Sequence, residues 1–120
     1  MNIRRTFGNN GETLVCSYLE KQGYSIIGRN YSTRLGEVDI IAQQDDLICF
    51  VEVKTRAKYH ASIGEIITKS KQTKIILTAK QFLAQHNRAS YIARFDVAFV
   101  IGNDTGDSTI TYLPNAFNEE

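Results

Sequence analysis

Gly36-Glu37-Val38-Asp39-Ile40-Ile41-Ala42-Gln43 and, after a short polar break, Leu47-Ile48-Cys49-Phe50-Val51-Glu52-Val53-Lys54-Thr55 decide how this chain folds. Both runs are rich in β-branched residues, and polar turn residues separate them, so they read as a β-hairpin. With Asp45-Asp46 as the central turn residues, Gln44 faces Leu47. The same register sets Asp39 opposite Glu52 and Glu37 opposite Lys54. Strand side chains alternate, so Glu37, Asp39 and Ile41 share a face with Phe50, Glu52 and Lys54. The other face is apolar throughout: Val38 opposite Val53, Ile40 opposite Val51, Ala42 opposite Cys49. A four-residue turn would keep Asp39 and Glu52 on one face; a three-residue turn would separate them unless a bulge restored the phase.

On the N-terminal side, Leu14, Val15, Tyr18 and Leu19 recur at helical spacing and predict a helix over residues 10–22, ended by Gly23. Residues 24–27 form a short strand. On the C-terminal side, residues 57–64 read as a loop. Ile75, Ile76, Ala79, Phe82, Leu83 and His86 then mark a helix over 68–86. Strands follow over 94–101 and 109–113. The order α-β-β-β-α-β-β is an antiparallel meander followed by a helical crossover. It specifies an α/β fold with a mixed sheet flanked by helices. No repeat, low-complexity tract or linker divides the 120 residues, which fit a single domain burying about 65% of its unfolded surface. Its core spans about residues 8–101, and an acidic strand and tail occupy 102–120.

The net charge of +1 conceals a polarised chain. Residues 54–80 hold Lys54, Arg56, Lys58, Lys69, Lys71, Lys74 and Lys80 against Glu65 alone, whereas Asp96, Asp104, Asp107, Glu119 and Glu120 follow Phe95 with no Lys or Arg. The basic stretch is either a solvated helix face or a source of counterion-releasing contacts to phosphates. Cys16 and Cys49 sit in apolar runs and read as buried hydrophobes in a reducing compartment. The N-terminus lacks the apolar stretch of a signal peptide, and no window approaches about 18 apolar residues, so the protein is expected in the cytoplasm, with no membrane partner.

Like charges directly opposed on a sheet are destabilising, and a solvated face would set Asp against Lys or Arg rather than Glu. A divalent cation resolves the conflict at Asp39 and Glu52. Mg²⁺ takes one or two carboxylates plus waters and phosphate oxygens. Lys54 shares their face and could orient or deprotonate an attacking water, or neutralise charge growing on a phosphate. The bland alternative is a cross-strand ion pair of Lys54 with Glu37. His60 and His86 lack zinc-ligand spacing. Tyr31 and Tyr59 either stack on bases or cap loops.

Gly36-Glu37-Val38-Asp39-Ile40-Ile41 with Phe50-Val51-Glu52-Val53-Lys54-Thr55-Arg56 resembles the PD-(D/E)xK nuclease signature, Val38 standing in place of its proline. More closely the chain resembles the YraN family of small bacterial proteins, itself similar to archaeal Holliday-junction resolvases. That likeness extends over Gly11-Glu12, Tyr18-Leu19, Gly23-Tyr24, Arg29-Asn30-Tyr31, Gly64, Lys71-Gln72 and Arg94-Phe95-Asp96-Val97. The resemblance implies a restriction-endonuclease-like core and an endonuclease dependent on Mg²⁺ or Mn²⁺. Its implied substrate is nucleic acid, DNA rather than RNA, with branched or single-stranded DNA as candidates. The rival is a non-cleaving nucleic-acid-binding module on the same fold. Asp39 and Glu52 match the metal-binding carboxylates, Lys54 the catalytic lysine, and Glu12 a metal-proximal acid on the first helix. Glu12 also shares a helical face with Val15 and Leu19, though an acid in a helix's first turn would explain it equally. Lys71 and Gln72 match positions facing the site or the phosphate backbone, and surface residues would serve as well. With Arg34, Arg56, Lys58, Lys69 and Lys74 they form the expected nucleic-acid surface. Junction resolvases act as symmetric dimers, so a homodimer is an expectation, although no dimer surface can be read from the sequence.

Overall fold

The computed structural model describes residues 3–56, 66–102 and 108–119, with side chains from Gly11 to Thr55 in the first segment. In chain order the elements are α1 (Ile3–Lys21), β1 (Ser25–Ser32), β2 (Glu37–Gln44), β3 (Leu47–Arg56), α2 (Lys69–Gln85), β4 (Ile92–Gly102) and β5 (Ser108–Phe117). The strands form one sheet in the order β1-β2-β3-β4-β5. Only β3 and β4 run parallel, from Leu47↔Ile92 to Arg56↔Ile101, because α2 carries the chain back between them. The β2–β3 ladder runs from Gln44↔Leu47 to Ile40↔Val51. That is the register of a two-residue turn, in which Asp45 adopts a left-handed φ of 54°.

Each helix covers one face of the sheet. Val15, Cys16 and Leu19 of α1 pack on Ile40, Ala42, Cys49, Val51, Ala98 and Val100. Ile75, Ala79 and Phe82 of α2 pack on Ile41, Ile48, Phe50, Phe95, Val97 and Phe99. β3 and β4 are therefore buried on both sides, which is why Ile48 to Val51 and Val97 to Val100 are unbroken apolar runs. Phe95 stacks on Phe50 at 5.7 Å between ring centres and on Phe117 at 5.4 Å. Each large apolar side chain buried in this way contributes about 1.5–3 kcal/mol. Thr68 caps α2, its hydroxyl accepting from the Lys71 N–H at 3.2 Å, and His86 closes the other end.

Four local expectations are corrected. α1 begins at Ile3 rather than near Asn10. Gly11 lies inside the helix, where it lets α1 approach the sheet: a Cβ there would stand 3.0 Å from Thr55 Oγ1. Glu12 is accordingly in mid-helix, so the first-turn explanation fails. β1 continues through Ser32 because a register shift between Ile26 and Gly28 absorbs the polar residues at the edge of the sheet. Tyr31 is thus a strand residue packed edge-on against Phe82, with its hydroxyl on Gln85. β5 extends to Phe117, four residues beyond Leu113. Finally, Val38 packs beneath α2 with Ile41, not with Ile40 beneath α1. Strict alternation fails there because β2 leaves the β3 ladder below Ile40.

Gly36 marks where β2 meets α2. A Cβ at Gly36 would lie 3.2 Å from the Lys74 carbonyl oxygen and 3.0 Å from Thr78 Oγ1. Gly36→Ala is expected to cost about 1–3 kcal/mol by forcing α2 away from the sheet. A thermal melt checks it, and an unchanged midpoint would show that the contact yields freely.

Candidate active site

Below Ile40 the two central strands part, and a side chain takes over from the backbone. The Asp39 carboxylate accepts the Val53 N–H at 2.8 Å, where a main-chain carbonyl would otherwise continue the ladder. Glu52, one residue before Val53, is 5% exposed and lies close enough to Asp39 for the two carboxyl groups to share a proton. A cavity of about 280 Å³ opens over this pair, walled by Gly36 and Glu37 of the β2 side and by Thr68, Ser70, Lys71, Lys74 and Ile75 of the α2 side. Thr68, Ser70 and Lys71 at the start of α2 line it, which brings the positive end of the helix dipole to the cavity.

Two ammonium groups approach the same buried oxygen. Lys71 Nζ lies 2.8 Å from Glu52 Oε2, and Lys54 Nζ lies 3.6 Å from it. Neither is aligned as a hydrogen bond, so Oε2 has ion-pair partners but no directional donor. Burial, then the hydrogen bond and charge of Glu52, push the Asp39 carboxyl up to about 8. Burial also raises Glu52, but the hydrogen bond with Asp39 and the ammonium groups of Lys71 and Lys54 outweigh it and hold Glu52 below its ordinary value. The pair therefore shares one proton at neutral pH, lodged on Asp39, as two adjacent carboxylates must when no metal is bound.

This sharing has a pH signature. Between its ordinary value and about 8, Asp39 is protonated in the fold and ionised in the unfolded chain, so the unfolded state binds fewer protons and stability falls as pH rises. The Glu52 contribution has the opposite sign but is lost only below the ordinary carboxylate range. Metal-free protein is expected to melt at progressively lower temperature from about pH 5 to pH 8, and Asp39→Asn to flatten the slope. Melts in chelator across that range check it. A wild-type midpoint independent of pH would contradict the shared proton.

The donor set fits a hard divalent cation held by two carboxylates plus water or phosphate oxygens. Glu52 Oε2 is a buried oxygen lacking a directional donor, and its neighbour carries a proton that a cation would replace. Among the described residues no three His, Cys, Asp or Glu side chains gather into a complete cage. Glu12 therefore does not join Asp39 and Glu52 as a third member of such a cage. It faces the sheet, 18% exposed, with Arg29 Nη2 at 3.6 Å and its Oε1 buried without a hydrogen bond. Its charge acts on Asp39 from the α1 side.

The expected nucleic-acid residues divide. Lys71 and Lys74 line the cavity, and Lys69 lies over a neighbouring cleft. Arg34 is exposed in the β1–β2 connection. Gln72 is buried, and its amide donates to the Ile67 carbonyl at 3.0 Å, which gives it a structural task instead of a surface one. Arg56 ends β3, but its side chain lies outside the described residues, as do Lys58, Tyr59 and His60. Two features escaped the sequence reading. Thr68 and Ser70 reach the cavity through the cap of α2, for which Thr68-Lys69-Ser70-Lys71 was an available signal. Asp96, fully buried, accepts from Arg94 Nε and Nη2 at 2.9 Å each, from the Tyr112 hydroxyl and from the Asn115 N–H. Arg94 and Asp96 at strand spacing within an apolar run were the legible part of that network.

Residues 11–100 match the family model described as "Uncharacterised protein family UPF0102". The chain belongs to UPF0102, the YraN family. Curated UPF0102 proteins resemble it over nearly their whole length. That of Vibrio parahaemolyticus is 42% identical over 118 residues, covering 97% of this chain and 95% of the relative. The Treponema pallidum (strain Nichols) protein is 44% identical over 120 residues, covering 96% and 94%. The Myxococcus xanthus protein is 36% identical over 118 residues, covering 96% and 91%. The UPF0102 match contains both walls of the cavity together with Glu12, Asp39, Glu52, Lys54, Lys71 and Asp96, and ends before β5. Its fold is the mixed five-stranded sheet with a helix on each face, consistent with a restriction-endonuclease-like core. Among the described residues, no helix is long and apolar enough to cross a membrane.

Proposed function

We propose that this UPF0102 protein is a Mg²⁺- or Mn²⁺-dependent endonuclease that hydrolyses phosphodiester bonds in DNA. One observation carries the reading: Asp39 and Glu52 lie side by side and largely buried, with the ammonium groups of Lys54 and Lys71 on the same Glu52 oxygen. A sheet that only needed solvation on this face would not bury two carboxyl groups against each other. Asp39 and Glu52 would hold the cation, which when bound supplies Lewis-acid polarisation of a phosphate and a more acidic water. Lys54 orients the attacking water and offsets charge growing on the phosphate oxygens. Lys74 and the first turn of α2 hold the flanking phosphate, with Thr68 and Ser70 as hydroxyl donors. The attacking water forms a new P–O bond, and the departing oxygen leaves with a proton.

The resemblance to junction resolvases favours branched or single-stranded DNA, and cutting both strands of a junction calls for two copies of the chain. Purified protein incubated with Mg²⁺ or Mn²⁺ and a panel of duplex, single-stranded, flapped and four-way DNAs tests the reading. Cleavage of at least one DNA, abolished by chelator, is expected. Salt-sensitive binding of every DNA with no cleavage of any would point to a binding module on the same fold.

A further inference from the structure

The exposed half of Lys71 is hard to reconcile with a purely structural ion pair. Its side chain is 47% exposed, yet its ammonium reaches 2.8 Å from a carboxylate that is 5% exposed. It springs from the first turn of α2, and its stem lines the same cavity as Thr68, Ser70 and Lys74. The oxygen it touches, Glu52 Oε2, belongs to the pair assigned above to a divalent cation. An ammonium and a divalent cation compete for an oxygen of a carboxylate that is 5% exposed, because their repulsion is weakly screened there. One must leave, and Lys71 is on a flexible, half-solvated stem.

We propose that Lys71 is an exchangeable counter-ion: it neutralises Glu52 in the metal-free protein and, displaced on metal loading, becomes a ligand for the phosphodiester of the substrate. The inference rests on the proposed function and deepens it. Metal loading then raises the number of cations available to nucleic acid, so protein without metal holds DNA less tightly. Lys74 lines the same cavity and serves the phosphate in both states. Its replacement measures what a permanently available lysine contributes.

Calorimetric titration of Mn²⁺ into protein without DNA gives the first readout. Lys71→Gln is expected to bind Mn²⁺ more tightly than wild type, by up to about fivefold, since a competing cation is gone. DNA affinity against salt, measured with and without Ca²⁺ as a non-cleaving metal, gives the second. A neutralised duplex phosphate adds about 0.9 to the slope of log affinity against log salt. The steepening caused by Ca²⁺ should be larger in wild type than in Lys71→Gln by about that amount, whereas Lys74→Gln should lower the slope equally in both states. Equal steepening in wild type and Lys71→Gln would overturn the exchange even if Mn²⁺ binds. Failure of wild type to bind Mn²⁺, alone or with DNA, would overturn the metal centre itself and the exchange with it.

Discussion

Lys54→Ala is expected to lower single-turnover DNA cleavage by about 10²–10⁴ at saturating metal, while leaving metal binding and DNA binding near wild type. The expectation follows from the geometry around Glu52. Lys54 is a cation and holds no metal, and the carboxylates of Asp39 and Glu52 that would hold it are untouched when Lys54 is removed. The loss should therefore fall on the chemical step rather than on assembly of the site. A cross-strand pair with Glu37 would instead contribute under about 1 kcal/mol to stability and nothing to rate. The ladder that would place those two residues opposite each other ends at Ile40↔Val51, and Lys54 Nζ lies 3.6 Å from Glu52 Oε2. Cleavage surviving in Lys54→Ala would remove the lysine from the mechanism. Asp39→Ala should behave differently and lose metal as well, because Glu52 alone supplies too few oxygens for octahedral coordination.

The largest stability effect should come from Asp96→Ala, at a residue that is not part of the cavity lining. Its carboxylate is fully buried and answers both nitrogens of the Arg94 fork, the Tyr112 hydroxyl and the Asn115 N–H. Its hydrogen bonds first, and then its charge, raise Arg94 above its ordinary value, and burial first, then Asp96, raise Tyr112. Removing the carboxylate strands a guanidinium that is 24% exposed and leaves two further donors unpaired. Breaking a buried pair in this way costs about 3–5 kcal/mol. For a domain of this size that lowers the melting midpoint by roughly 10–20 °C. The loss should also loosen the end of β5 around Asn115, although the ladder from Val97↔Leu113 to Gly102↔Ser108 and the Phe95–Phe117 stack still hold the strand. A denaturant titration measures the cost, and a change below about 1 kcal/mol would mean that water replaces the network at little expense.

Much of this was legible in the sequence. Two adjacent Asp residues between β-branched runs specify a two-residue turn, and that turn alone sets every pair from Gln44↔Leu47 to Ile40↔Val51. The nearness of Asp39 to Glu52 follows from register. Its consequence, a carboxylate replacing the ladder at Val53, does not, because strand periodicity assumes that the ladder continues. Val38 was misplaced for the same reason. Contacts between elements distant in sequence were illegible: nothing local says that Lys71 reaches Glu52 or that Gln72 turns inward to Ile67. The helix start was placed too late because the apolar spacing that marked the helix, through Val15, Tyr18 and Leu19, begins only at Leu14. Gly11 serves to let α1 sit close to Thr55, a tertiary requirement that outweighs helix propensity.

The central claim is that Asp39 and Glu52 hold a divalent cation with which this protein cuts DNA. The most direct measurement is single-turnover cleavage of end-labelled DNA by wild type and by Asp39→Asn, purified identically and assayed in Mn²⁺. Asp39→Asn preserves side-chain size and removes one ligand charge, so it separates the site from the fold. The account predicts cleavage by wild type that vanishes in the variant and in chelator. Equal cleavage by both proteins, or none by wild type on any DNA structure, would contradict it.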